Sequence, residues 1–138
     1  MLIRLLFSML LFSSHALMGL ELSEGSQAAS VYFISPSNHE TTSSEVTVVF
    51  GLKNFGVSPA GLDVTGTGHH HLIIDADLPA LNQPITADKN HVHFGKGQTQ
   101  VKLTLDPGPH TLQLLLGDYR HVPHDPPIFS KKIMVHVE

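Results

Sequence analysis

The chain has no cysteine, and that single absence removes disulfides, thiolate metal sites and anchoring through a lipid-modified cysteine. Stability must therefore come from packing. Positive charge is also scarce: 8 Lys and Arg stand against 12 Asp and Glu, a net charge of −4 with histidine neutral. A chain without a cationic stripe has nothing to neutralise phosphates, which argues against nucleic-acid binding. No apolar run reaches the roughly 20 residues of a membrane-spanning helix, since Leu5 to Phe12 breaks at Ser13-Ser14-His15. Catalytic signatures are missing too. There is no Gly-x-Ser-x-Gly elbow and no His-Glu-x-x-His helix, and Gly95-Lys96-Gly97-Gln98-Thr99 lacks the spacing of a phosphate-wrapping loop. Enzymatic activity is therefore the lesser reading.

The beginning of the chain has the composition of an export signal. Arg4 supplies a positive charge, Leu5 to Phe12 an apolar stretch, and Ser14-His15-Ala16 small residues before a cut. Residues 1–16 are predicted to be a signal peptide, with cleavage as late as Gly19 the alternative, and the mature protein is predicted to be secreted to the periplasm. Residues 17–30 are polar and aperiodic and read as a flexible leader. What remains, 31–138, suffices for one domain.

Within that domain, helical spacing of apolar residues is lacking, and strand-length segments alternate with Pro, Gly, Asn and Asp. The chain is predicted to be all-β. Strands are expected at Val31–Ile34, Glu45–Lys53, His69–Asp75, Val101–Leu105, His110–Leu116 and Ile128–Val137, with a short seventh at His91–Phe94. In the second of these, Val46, Val48, Phe50 and Leu52 share a face. About seven short strands in a hundred residues suit an immunoglobulin-like two-sheet β-sandwich. Leu105-Asp106-Pro107-Gly108-Pro109-His110 has the layout of the corner before a late sandwich strand. His110 takes the place of the usual tyrosine there, and a backbone hydrogen bond is expected of it.

What the chain has in abundance is histidine, eleven in all. Neutral imidazole is the commonest protein ligand for transition metals, and its ordinary pKa lies near neutrality. Strand alternation splits the triplet Gly68-His69-His70-His71-Leu72, placing His69 and His71 on one face and His70 on the other. His91 and His93 form a second pair of the same parity. Two pairs could close a site of four nitrogens, suited to copper(II) or zinc(II). His121 and His124, in the proline-rich stretch His121-Val122-Pro123-His124-Asp125-Pro126-Pro127, could complete it from a loop, and either could equally be solvated. Asp75 could orient one imidazole by accepting its second ring proton, with His70 and His110 as further neighbours. His39 and His136 read as incidental.

Several linked motifs carry a family resemblance: Pro59-Ala60-Gly61, the run from Gly68 to Asp75, His93-Phe94-Gly95-Lys96-Gly97-Gln98-Thr99, the run from Pro107 to Leu114, and Gly117-Asp118. Together they resemble the bacterial domain-of-unknown-function 4399 family over roughly Val31 to Val137. The resemblance implies an exported bacterial domain and supplies neither an activity nor a ligand set. Two readings of different class therefore stand. In one, the chain binds copper or zinc through clustered histidines. In the other, it is a non-catalytic cell-envelope interaction module, with another envelope protein as partner, whose histidines form a buried hydrogen-bond network. Proton-transfer or metal-dependent catalysis is a third, lesser reading.

Overall fold

The computed structural model describes residues 19–138, so the segment assigned to a signal peptide lies outside the described residues. Among the described residues there are nine strands and no helix, hence none long and apolar enough to cross a membrane. In chain order they are β1 (Ser30–Ser35), β2 (Glu40–Thr42), β3 (Glu45–Lys53), β4 (Gly56–Val57), β5 (Thr67–Ile74), β6 (His91–His93), β7 (Gln100–Thr104), β8 (Gly108–Gly117) and β9 (Ile133–Val137).

These strands form two sheets. One has three strands in the order β1-β3-β7, and the other has six, β2-β9-β8-β5-β4, with β6 also paired to β5. The free edge of β5 is thus shared: its first residues pair with β4 in parallel, and its last residues pair with β6 antiparallel.

Period-two alternation makes a single core between the sheets. Val46, Val48 and Phe50 of β3 face Leu72 and Ile74 of β5, Leu112, Leu114 and Leu116 of β8, and Val135 and Val137 of β9. Burying each of these side chains contributes roughly 1.5–3 kcal/mol. The outer face of the larger sheet is covered as well. Ile73 and Leu115 pack there beneath Ile85, which comes from the irregular connection between β5 and β6. The larger sheet is therefore buried on both faces, and β5 is buried without alternation from Gly68 to Ile74.

Three expectations change against this frame. The strand predicted over Ile128–Val137 is regular only from Ile133, because Ile128 and Ser130 bond along β8 one register earlier, through Leu116 N to Ile128 O and Ser130 N to Leu114 O. β2 and β4 were not predicted: Glu40-Thr41-Thr42 is wholly polar, and Gly56-Val57 is too short to show a period. The stretch read as a flexible leader is held against the domain from Glu21 onward. Gly25 N donates to Asp125 O, Asp125 N to Ser23 O, and Arg120 Nη2 to Glu21 O.

The corner at His110 forms as expected. Its Nε2 donates to Asp106 O at 2.8 Å while Nδ1 donates to Asp75 Oδ2 at 2.6 Å. Because both partners are acceptors, the ring must carry both protons and the positive charge. Burial disfavours that charge, yet the Asp75 carboxylate and the Asp106 carbonyl outweigh it and hold the pKa above its ordinary value.

Candidate metal centre

Strand alternation sends the triplet to opposite sides of β5. His70 joins Leu72 and Ile74 on the core side, its ring 5.0 Å from that of Phe50. His69 and His71 emerge on the outer face, both fully buried. Register supplies the next ring: β5 and β6 pair so that His93 stands directly opposite His71. A loop supplies the fourth. After β8 the chain turns sharply, with His121 N bonded to Asp118 O and His121 at φ 66°, and the His121 ring is folded over the other three.

The four imidazoles converge. Ring centroids of His69 lie 4.7, 5.0 and 5.0 Å from those of His71, His93 and His121, and His93 and His121 are 4.5 Å apart. Each residue offers one nitrogen such that all four nitrogens lie within 4.8 Å of one another. A zinc ion held by nitrogens at 2.0–2.1 Å needs them about 3.3 Å apart along a tetrahedral edge. His69 Nε2 and His121 Nδ1 already stand at 3.2 Å.

Burial sets the protonation of these rings. Desolvation, then the neighbouring imidazoles, push His71 down to about 2. Desolvation first, and then His121 and His93, bring His69 to about 4, with the Asp118 carboxylate pulling the other way. His93 is lowered by burial and by His121. Near neutral pH these three rings are therefore uncharged, each with a lone pair available to a cation. A hydrogen-bond network would use those lone pairs among the rings themselves, and it accounts for one contact only. His69 Nδ1, both nitrogens of His71, and His93 Nε2 are buried and have no partner among the described residues. Such atoms are costly unless something else binds them.

Two glycines make room for the rings. A Cβ on Gly117 would lie 2.7 Å from His71 Cε1, and one on Gly95 would collide with the His93 ring. We expect Gly117→Ala, whose backbone conformation suits alanine, to displace His71 and weaken metal affinity by about tenfold or more. Chelator competition on the purified variant measures this; wild-type affinity would show that His71 needs no such clearance.

The sequence pointed to His69, His71, His91 and His93, with His121 or His124 to complete the site; the structure brings His69, His71 and His93 together with His121 and leaves His91 and His124 out. The others stand elsewhere. His91 has the right parity but pairs opposite Ile73, and its Nδ1 donates to Asp88 Oδ1 at 3.0 Å. His124 is buried on a different flank, where Nε2 donates to Thr67 O and the ring meets Phe55 edge-on. Asp75 orients His110 rather than a ring of the cluster, because its φ of 52° ends the alternation that would have aimed it outward. His70 lies across the sheet and touches none of the four rings.

Asp118 was missed as a supporting residue. It is buried, and Oδ1 accepts from the backbone N–H groups of Arg120 and Val122, so it shapes the turn that carries His121. Burial raises its pKa, but the hydrogen bonds from Ser23, Val122 and Arg120 win and hold it below the usual carboxylate range. Beside this turn a cavity of about 250 Å³ is lined by Ser23, Asp63, Thr67, Asp118 and Tyr119, and it reaches His69 alone of the four rings.

The family model described as "Domain of unknown function (DUF4399)" matches residues 48–138, and the chain belongs to that family. The match includes all four converging histidines. No curated protein and no solved structure matches the chain.

Proposed function

We propose that this protein is an exported binding module that holds one copper(II) or zinc(II) ion through His69, His71, His93 and His121. The observation that carries this reading is the convergence of four imidazoles from three separate segments, with most of their buried nitrogens lacking a partner among the described residues. An all-nitrogen donor set of neutral rings suits borderline cations and offers little to hard ones such as calcium or magnesium, which prefer oxygen. The ion would be gripped by two strands and a loop, an arrangement fitted to carrying or buffering it. We read the two sheets around one core as an immunoglobulin-like sandwich, with the site on its outer face.

The network reading is favoured locally at His110 and His124, whose rings bond to carbonyl oxygens. For the cluster it explains the 3.2 Å contact and nothing more. Untagged protein titrated with copper(II) and zinc(II) should take up one ion per chain. Failure to bind either ion would overturn the proposal.

A further inference from the structure

Resting on that metal-binding reading, we infer that Ser23 is a positioning residue of the metal centre: by holding Asp118, the Glu21–Gly25 segment sets the direction in which His121 is presented. Ser23 Oγ donates to Asp118 Oδ2 at 2.6 Å across 95 residues of sequence. That carboxylate is 2% exposed, and its two oxygens also receive Arg120 N, Nε and Nη2 and Val122 N. Every donor except Ser23 lies within four residues of Asp118, so the turn is built locally and fastened to the body of the domain from outside.

The segment is fastened along its length. Arg120 Nη2 reaches back to Glu21 O, Gly25 N donates to Asp125 O, Asp125 N donates to Ser23 O, and no space for a side chain exists at Gly25, where Pro126 O would be met. On its far side the turn is held by Ile85 N, which donates to His121 O. His121 is thus suspended between two supports, the N-terminal segment and the connection between β5 and β6. Hydrogen-bonded partners behind a ligand fix its orientation, and losing one costs roughly 10–100-fold in metal affinity.

Reciprocity follows from linkage. If docking of the segment favours the ion, the bound ion must favour docking by the same factor.

The test uses the purified full chain with zinc(II) and copper(II) as probes. Ser23→Ala should weaken affinity about tenfold and alter the copper(II) EPR spectrum towards fewer nitrogen ligands, while Ser23→Thr, which keeps the hydroxyl, should restore both. Saturating zinc should slow hydrogen exchange at the Gly25 and Asp125 amides in the wild type and not in Ser23→Ala. Wild-type affinity and an unchanged EPR spectrum in Ser23→Ala would overturn this inference while leaving the four-histidine centre standing. A wild-type chain that binds neither ion would overturn both.

Discussion

His71→Gln is expected to remove most of the stabilisation by metal, and His70→Gln to leave it intact. For the wild type, a free ion at a hundred times its dissociation constant should add about 2.7 kcal/mol, which for a domain of this size raises the melting temperature by roughly 10 °C. His71 sits between His69 and His93, and neither of its ring nitrogens has a partner among the described residues. Removing it takes a ligand from the middle of the cluster. His70, one residue away, points into the core beside Phe50 and cannot reach the ion. Its replacement should lower the stability of the metal-free chain, because a flexible primary amide would replace a ring packed against Phe50 in the buried interior. Thermal melts of the three proteins with and without zinc separate the two effects. Equal metal gains in His71→Gln and wild type would place the ion elsewhere.

The second large effect concerns acid. With no metal present, the folded chain keeps His69 and His70 neutral down to about 4 and His71 down to about 2, while the unfolded chain takes up protons near 6.5. Between those values the unfolded state binds more protons, so stability rises with pH there and falls on acidification. Each such histidine contributes up to about 1.4 kcal/mol per pH unit. Three together exhaust a typical domain stability of about 5–15 kcal/mol within a few units. The metal-free chain should therefore unfold cooperatively between pH 6 and pH 4, as circular dichroism would record. His70→Leu should move that midpoint to lower pH. Native signal persisting unchanged at pH 4 would contradict the burial of these rings. His110 works with the opposite sign: its raised pKa adds stability that is complete below about 6.5 and is lost as pH rises through the folded value.

The division of the histidine triplet was legible because a strand's period is two, so His69 and His71 had to part from His70. The core face of β3 was legible for the same reason. Choosing between His91 and His93 required the β5–β6 register, which depends on where a long irregular connection sets β6 down. His121 and His124 looked alike because both lie in the same short, proline-rich stretch after β8. What separates them is a left-handed backbone conformation at His121, created by the Asp118 turn. Asp118 itself gave no sequence signal of its role, since its partner Ser23 is remote in the chain. The clearances at Gly95 and Gly117 likewise appear only once the rings beside them are in place.

X-ray absorption on the zinc-loaded wild-type chain bears most directly on the shared focus of those rings. Four nitrogen neighbours at about 2.0–2.1 Å with the outer-shell scattering of imidazole are expected, and one fewer imidazole in His71→Gln. A first shell dominated by oxygen, or one that His71→Gln leaves unchanged, would contradict that shared focus.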